Sequence, residues 1–528
     1  MPEEYDAKQC DRLRSIIEGA ELHHPPRPTR YDPGQQLEFD VTGVHPAVAG
    51  RATLVVERFV GGGFAGQVYR ARLTALDGGP IPGLEPGAVY AVKILVPPSR
   101  FSQFFRDAIY RVGYQCPFAA QVNAGAARTG VLWQKLIRRG AQIRFGSERC
   151  VADTYATFLD PELGAFGEIN EWVDGRNWRF EIDDEVTGRR KRSAAESASS
   201  REYLAKKEFM AALVRLFHDM GAPELARQYE WWTAKSQPNV LKRLDADATP
   251  EEGLTALDFR AGLALLPFLP MSPADFKLIV KGMARGDLVQ FDRGDLGRLR
   301  AFCAEHEAAF ADLMPALEEL EQADPAYRRA QPDLLHHGLR LMYDGGLRRA
   351  VKAGFIEAWR VKGRADEAHA ARLGASSLRF WLFFVLGVVP FLGTGLRKLW
   401  GASSFARHVA ALFTSLGYLA RALRASRAQC LLAWYRTGKV GEGGVEFFLR
   451  HPVLHFVTRI VPGLLPLPPK WHRFLTDPKF AARSIAGAVV YPVRFYRDAA
   501  FRVEWLTGEI EAGAREGMLT PDERQHIL

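Results

Sequence analysis

The residues best suited to chemistry in this chain are a cluster of glycines and a lysine that follows it. The glycines fit a Gly-x-Gly-x-x-Gly-x-Val pattern, and the lysine ends the run Val-Tyr-Ala-Val-Lys. Glycine lets backbone N–H groups close over phosphate oxygens without a Cβ in the way. A lysine ammonium supplies a point charge to the same oxygens. The predicted phosphate site therefore comprises Gly61, Gly62, Gly63, Phe64, Ala65, Gly66, Val68 and Lys93.

The elements around the glycines decide which kind of phosphate loop this is. A β-branched run, 53–56, precedes the loop, and residues 67–73 alternate like a strand. A Rossmann loop should open a helix, whereas this one opens a strand. The order of strand, glycine turn, strand and lysine-bearing strand resembles the Gly-rich loop of the protein-kinase superfamily. An unrelated glycine-rich hairpin is the alternative.

A second segment resembles the kinase hinge. Residues 166–173 are predicted as a strand that ends Glu171-Trp172-Val173 before Asp-Gly. The resemblance implies that the backbone from Glu171 to Val173 pairs with the adenine edge of ATP. Taken alone, the segment also fits an ordinary strand end and turn.

Two later segments resemble the metal-binding parts of a kinase. Asn239 lies in Gln-Pro-Asn-Val-Leu, similar to the end of the catalytic loop, and Asp258 lies in Leu-Asp-Phe-Arg-Ala-Gly, similar to the Asp-Phe-Gly segment. The resemblance implies that Asn239 and Asp258 hold Mg²⁺ against the phosphates of ATP and that Lys93 and Asp258 are the retained catalytic residues. The order of glycine loop, lysine, hinge, Asn and Asp is a stronger signal than any single piece.

The catalytic base is the first departure from the kinase pattern. Counting back from Asn239, the base position is occupied by Ala234, and the nearest carboxylate, Glu230, comes four residues too early. Without that carboxylate, transfer of a phosphoryl group should be slow or absent, while nucleotide binding should survive.

The partner of Lys93 is the second departure. No Glu lies between Lys93 and Glu148, so Asp107 and Gln134 are the two candidates for the helix residue that pairs with the lysine. In addition, Arg260 stands where Asp-Phe-Gly has its glycine. These departures together favour an atypical kinase or a pseudokinase, and whether the chain is an enzyme stays open.

One atypical family offers a narrower comparison. Gln-Val-Tyr-Arg-Ala at 67–71 and Ala-Val-Lys at 91–93, followed by Pro97, are similar to the N-lobe of the ABC1/AarF/UbiB-like kinases. That family keeps an Asp in its catalytic loop, which this chain lacks, and the likeness covers the N-lobe only.

Composition excludes several classes of protein. The 528 residues are 47% hydrophobic, which is ample for folded domains, and the five cysteines have no C-x-x-C spacing. Zinc and a disulfide framework are therefore not expected. The N-terminus has no basic and apolar segments of a signal peptide, so we expect a cytoplasmic chain.

Charge and hydrophobicity both concentrate in the C-terminal third. Residues 346–528 carry a net charge of +14, the remainder −5, and Phe380–Leu396 is a run of 17 residues without a charge. Basic and apolar residues together favour an anionic membrane surface or bilayer over nucleic acid, for which no motif is found. The run could be a transmembrane helix, a re-entrant or in-plane helix, or a buried helix of a soluble bundle.

The resulting prediction is an α+β chain with a bilobal protein-kinase-like fold and an all-α, membrane-associated C-terminal module. The expected function is an ATP- and Mg²⁺-binding atypical kinase or pseudokinase on the cytoplasmic face of the inner or plasma membrane. The alternative is a non-enzymatic membrane-associated scaffold on the same fold. The expected domains are an extension at 1–50, a five-stranded N-lobe and hinge at 51–175, a C-lobe at 176–345 and the helical module at 346–528, with a membrane segment at 380–396.

Overall fold

A computed structural model of the chain forms two compact units, one of residues 28–397 and one of residues 1–27 with 398–528. The expected α+β chain, β-rich towards its N-terminus and helical towards its C-terminus, is confirmed. The structure describes residues 6–63, 66–99, 102–104, 106, 119–176, 201–226, 229, 239–246, 249–259, 294–331, 337–387, 393–464, 473–475 and 477–515.

Six strands close into a barrel in the order β1-β2-β3-β4-β6-β5. The barrel has one strand more than the sequence predicts, because the segment expected as an extension contributes β1, which pairs with both β2 and β5. The barrel strands are β1 (Gln36–Gly43), β2 (Ala49–Gly62), β3 (Gln67–Gly78), β4 (Val89–Ile94), β5 (Thr154–Asp160) and β6 (Ala165–Glu171).

Strict alternation along β4 determines which residues face the barrel interior. Tyr90, Val92 and Ile94 are buried in the barrel core, whereas Ala91 and Lys93 are half-buried on the opposite face. Because side chains alternate across a strand, Lys93 is presented outside the barrel.

A second, three-stranded sheet has the order β7-β8-β9, formed by β7 (Gly175–Arg176), β8 (Val240–Arg243) and β9 (Leu254–Ala256). Strands β8 and β9 share one apolar core with the long helix at 124–145 and the amphipathic helix at 201–219. As the sequence predicts, the stripe of the latter helix is buried: Phe209, Met210, Leu213, Leu216 and Phe217.

The chain contains the following α-helices in its described residues: α1 (Ala7–Glu18), α2 (Ala119–Val122), α3 (Ala124–Phe145), α4 (Arg201–Asp219), α5 (Pro223–Ala226), α6 (Leu296–Glu305), α7 (Glu307–Phe310), α8 (Met314–Ala330), α9 (Arg340–Tyr343), α10 (Gly345–Val361), α11 (Glu367–Ala375), α12 (Ser377–Leu386), α13 (Gly393–Gly401), α14 (Ser403–Thr414), α15 (Leu416–Arg436), α16 (Glu442–Arg450), α17 (Pro452–Leu464), α18 (Pro478–Arg497) and α19 (Ala499–Arg515).

In the part of the apolar run at 380–396 that the structure describes, the first helix stops well before the end of the run. Helix α12 ends at Leu386, where the Gly387 N–H bonds back to the carbonyl of Phe384. Phe380 and Phe383 are buried in a cluster with Trp359 of α10 and Leu373 of α11. These two phenylalanines of the run therefore belong to the core of the protein. Among the described residues, none of the helices is at once long and apolar enough to cross a bilayer.

The unit of residues 1–27 and 398–528 has its own small core. Cys10 and Leu13 of α1 pack with Leu431 and Leu432 of α15. The backbone N–H of Asp6 donates to the Tyr435 hydroxyl at 3.0 Å. The first helix, expected in an extension, thus packs on the helices of the C-terminal part of the chain.

Candidate functional site: the lysine–aspartate cleft

The barrel strands align the predicted phosphate-site residues in one row. Gly61 of β2 pairs with Val68 of β3, Val68 pairs with Lys93 of β4, and Lys93 pairs with Glu168 of β6. Residues directly opposite each other in a sheet present their side chains on the same face. The next row towards the hinge contains Arg70, Ala91 and Asn170. We call the face that carries Lys93, Glu168 and Asn170 the cleft face.

The glycines at the tip of the β2–β3 hairpin fall into two groups. A Cβ on Gly62 would lie 2.5 Å from Cγ of Pro98, and one on Gly66 would lie 2.5 Å from the Ile94 carbonyl oxygen, so packing within the protein requires glycine at both. At Gly61 and Gly63, by contrast, nothing lies within 4 Å of the added Cβ. These two positions leave open space at the hairpin tip, which a ligand could approach closely.

Lys93 forms an ion pair that joins the barrel to the second sheet. Its Nζ lies 2.9 Å from Oδ1 of Asp258, which follows β9. The side chains are 14% and 30% exposed, so the pair is largely shielded from solvent. A shielded cation and anion of this kind can each change partner when a ligand brings in phosphate and a metal ion.

The backbone of Asp258 is fixed by a buried tyrosine. The Tyr229 hydroxyl donates to the Asp258 carbonyl at 2.7 Å and accepts from the Asp258 N–H at 3.1 Å. Burial raises the pKa of Tyr229 well above its usual value, so the hydroxyl keeps the proton that it donates. Phe259 packs beside it, with ring centroids 5.8 Å from Tyr229 and 6.0 Å from Phe217. These contacts anchor Asp258 at the end of β9.

Asn239 directly precedes β8, the strand that pairs with β9. The Asn239 backbone carbonyl accepts a hydrogen bond at 2.9 Å from the N–H of Leu257, the residue directly before Asp258. The residues that carry the Asn239 amide and the Asp258 carboxylate are thus close together on the two arms of the β8–β9 hairpin. Mg²⁺ in nucleotide sites takes one or two such protein oxygens and completes its shell with phosphates and water. The residues present fit that ligand set, although the described residues contain no cluster of three or more His, Cys, Asp or Glu side chains that could hold a metal by itself.

An ion pair at the predicted hinge joins the barrel to the second sheet. Glu171 ends β6 and accepts from the buried Arg243 of β8 at 2.7 Å. Trp172 lies under the guanidinium groups of Arg58 and Arg70, at 5.4 and 5.2 Å from the ring centre. Val173 is buried. The segment therefore connects the barrel to β7 in a fixed arrangement.

Several predicted residues lie outside the described part of the chain: Phe64, Ala65, Asp107, Glu230, Ala234, Arg260 and Gly262. Of the two candidate partners for Lys93, Gln134 is buried on α3 and donates its Nε2 to the Ala152 carbonyl at 2.8 Å. It serves the backbone near β5, and the ion-pair partner of Lys93 among the described residues is Asp258.

Sequence reasoning missed two residues of this site. Glu168 is 3% exposed and lies directly opposite Lys93, and strand alternation combined with the pairing register could have found it. Tyr229 carries no comparable signal, because it is separated from Asp258 by 29 residues and follows only a short helix.

No protein-family model and no curated protein matches the chain. Among solved structures, the chain is similar to the crystal structure of the BubR1 kinase domain, at 13% identity and a TM-score of 0.20, over 60% of this chain and 98% of that one. At this TM-score the likeness does not define the fold of the chain.

Proposed function

We propose that the chain binds ATP with Mg²⁺ in the cleft between the barrel and the second sheet, as a protein-kinase-like protein of the atypical or pseudokinase type. The observation that carries the proposal is the Lys93–Asp258 ion pair at 2.9 Å. It brings together the two residues that the kinase resemblance assigns to phosphate and metal, from positions 165 residues apart.

The order of elements supports the same proposal. A glycine hairpin, a lysine strand, the helix α3 and two further strands lead to the hinge, and the amphipathic α4 and the β8–β9 pair follow. Asn239 precedes β8 and Asp258 follows β9, so both metal-ligand candidates sit at the same end of one hairpin. Lys93, Asn239 and Asp258 would hold the phosphates and the metal, while the hinge backbone from Glu171 to Val173 would pair with the base.

Turnover is expected to be slow or absent. Ala234 stands where the sequence pattern places the base that accepts the proton of the attacking hydroxyl. Replacing Ala234→Asp should raise any basal ATP hydrolysis or autophosphorylation. Robust wild-type turnover that is lost in Glu230→Gln would show instead that a displaced base is used.

A thermal-shift titration of the full chain with Mg-ATP tests binding. A ligand present at 100 times its Kd stabilises the state that binds it by about 2.7 kcal/mol. We expect a rise in Tm for the wild type that is lost in Lys93→Met and Asp258→Asn. The matched control is Lys135→Met, since Lys135 forms a 2.7 Å ion pair with Asp153 of similar burial and should keep the response. An absent shift at millimolar ATP, or equal shifts in all variants, contradicts the proposal.

One observation favours the alternative of a non-enzymatic scaffold. Lys93 and Asp258 already neutralise each other, so the pair could serve as a structural link that never opens. On that reading, Lys93→Met and Asp258→Asn would lower the Tm without nucleotide, and Mg-ATP would change neither variant nor the wild type.

The proposal includes attachment to an anionic membrane surface on the cytoplasmic side. Helix α12 exposes Leu378, Trp381, Leu382 and Val385, each at least half exposed, at the spacing of one helical face. Arg372 and Arg379 are exposed nearby. The excess positive charge of residues 346–528 fits an anionic lipid surface. An in-plane helix, one of the sequence-based alternatives, agrees with the ten-residue length of α12.

A further inference from the structure

The segment that follows α1 is held against α15 by two hydrogen bonds to its backbone. Arg421 donates its Nε–H to the carbonyl of Ala20 at 3.2 Å. The N–H of His23 donates to the hydroxyl of Tyr418 at 2.9 Å. These residues all belong to the unit of residues 1–27 and 398–528. We call residues 20–27 the docked segment.

Three histidine rings surround this contact. His23 stacks on the ring of Tyr418, with ring centroids 5.2 Å apart. His408 of α14 places its Nδ1 2.6 Å from the same tyrosine hydroxyl. His24 places its Nδ1 3.1 Å from Oγ of Ser404, and its ring centroid lies 6.5 Å from that of His408. Imidazole groups therefore join the docked segment to α14 as well as to α15.

The hydroxyl of Tyr418 requires a neutral His408. The tyrosine is 4% exposed, and its oxygen already accepts the N–H of His23. The single hydroxyl proton is then donated to Nδ1 of His408, which carries no proton of its own at that nitrogen. Protonation of His408 would make Nδ1 a donor and leave the buried hydroxyl proton without its acceptor, which is unfavourable.

The charges around the histidines also oppose protonation. The surrounding charged and titratable groups are Lys398 on α13, Arg421 on α15, and Arg27 and His23 in the docked segment. Burial, and after it these cationic neighbours, lower the pKa of His24, and burial followed by His23 lowers the pKa of His408. Each proton taken up in acid therefore adds a positive charge to a group that is already positive.

The sign of the pH dependence follows from these lowered pKa values. An imidazole in a released segment has its ordinary pKa of about 6.5, so below that pH it binds more protons than one in the docked state. Docking is therefore strongest above about pH 6.5 and weakens as the pH falls.

We propose that His24 and His408 form an acid-sensitive lock, which holds the docked segment against α14 and α15 at neutral pH and releases it when both rings are protonated. Release uncovers the rings of Tyr418 and Phe405, against which the histidines of the segment pack. Helix α1 stays in place, because its apolar contacts with α15 do not depend on these histidines.

Hydrogen exchange of the full-length chain, corrected for the intrinsic effect of pH, measures release through the amides of residues 20–24. For the wild type we expect their protection to fall by roughly ten-fold or more between about pH 7.5 and about pH 5.5, since each unit by which a pKa is lowered contributes a factor of ten. The amides of α1 should keep their protection. The double variant His24→Asn with His408→Asn has side-chain oxygens that accept in place of Nδ1 and do not titrate, so its protection should be equal at both pH values. The matched control, His451→Asn, changes an exposed histidine of the same unit and should respond like the wild type.

Lys398→Met is a second test that leaves the histidines in place. It removes a cation that lowers the pKa of His24, so release should require a lower pH than in the wild type. Equal wild-type protection at both pH values, the same loss in the double variant, or an unchanged midpoint in Lys398→Met would overturn the proposal. Loss of protection in α1 at the same pH as in the docked segment would show that the whole unit unfolds in acid, and would overturn it as well.

Discussion

Nη1 of Arg243 lies 2.7 Å from Oε1 of Glu171, and the arginine side chain is only 5% exposed. The same guanidinium donates its Nε–H to the hydroxyl of Thr255 on β9 at 2.8 Å. One residue thus links the end of the barrel strand β6 to the β8–β9 hairpin that carries Asp258. The segment predicted as a hinge is therefore held by this ion pair as well as by its backbone.

Replacing this arginine should loosen the link between the two sheets. Arg243→Met would leave Glu171 without its closest cation, and removing one partner of a buried pair costs about 3 kcal/mol of unfolding free energy. Urea unfolding of the full chain measures the loss. The matched control is Arg149→Met, because Arg149 pairs with Asp245 at the surface, where both side chains are more than half exposed. That variant should lose less than about 1 kcal/mol. Equal losses would contradict the structural role of Arg243.

Tyr229 should matter for both stability and nucleotide binding. Tyr229→Phe removes the hydroxyl that serves the backbone N–H and carbonyl of Asp258, and leaving buried groups unpaired costs about 1–3 kcal/mol. Because Asp258 would then be less well fixed, the Tm shift caused by Mg-ATP should also shrink. The control is Tyr343→Phe, since Tyr343 is 76% exposed. If Tyr229→Phe matches that control in both measurements, the hydroxyl does not position the aspartate.

Local pattern predicted the elements that carry the site. Alternation located the strand that ends at Ile94, and the helical stripe at Phe209–Phe217 is buried as expected. The glycine spacing located the β2–β3 hairpin. Each of these signals lies within a short stretch of sequence. When one face of an element is buried, its apolar residues recur every two positions in a strand and about every 3.6 positions in a helix.

The relationships that complete the site depend on pairing between distant strands. Nothing in the sequence near Gln36–Gly43 shows that this strand closes the barrel between β2 and β5. Register alone places Glu168 opposite Lys93. The apolar run at 380–396 left three alternatives open, because uninterrupted hydrophobicity is the same for a membrane helix and for a helix that packs Phe380 and Phe383 into a protein core.

Asp160 gives the 28–397 unit a defined dependence on pH. The carboxylate is fully buried and accepts hydrogen bonds from the Tyr31 hydroxyl at 2.8 Å and from two backbone N–H groups. Burial raises the pKa of Asp160 from 3.8 to about 6. A raised folded pKa means that the native state holds a proton that the unfolded chain releases between pH 4 and 6. Protonation of Asp160 therefore contributes about 3 kcal/mol to the free energy of unfolding below about pH 4. This contribution is lost as the pH rises to about 6.

Asp160→Asn isolates this contribution, because its side chain does not titrate. The difference in unfolding free energy between wild type and Asp160→Asn should therefore change between pH 4 and pH 6 and stay constant above pH 7. Asp40→Asn provides the control at an exposed aspartate on β1 and should follow the wild-type profile. A constant difference between wild type and Asp160→Asn across the whole range would show that the buried carboxyl is not protonated in the native state.

The exposed face of α12 should decide whether the chain binds lipid. A ten-residue helix is about 15 Å long, half of the ~30 Å hydrocarbon core, so it can lie in the interface but not span it. In flotation with vesicles that contain phosphatidylserine, the double variant Trp381→Ser with Leu382→Ser should bind at least about ten-fold more weakly, since each buried side chain contributes about 1.5–3 kcal/mol. Leu339→Ser controls for loss of an equally exposed apolar residue outside this helix, 76% exposed.

Salt separates the apolar from the electrostatic part of the same binding. At 1 M salt the Debye length falls to about 3 Å, which removes most of the attraction between exposed Lys and Arg side chains and anionic lipid. Binding that persists in 1 M salt and is lost in the double variant would establish insertion of the α12 face. Complete release of the wild type by salt would assign attachment to the basic residues alone. If the wild type and the double variant float equally, or neither floats, the exposed leucines and tryptophan of α12 do not contact a membrane.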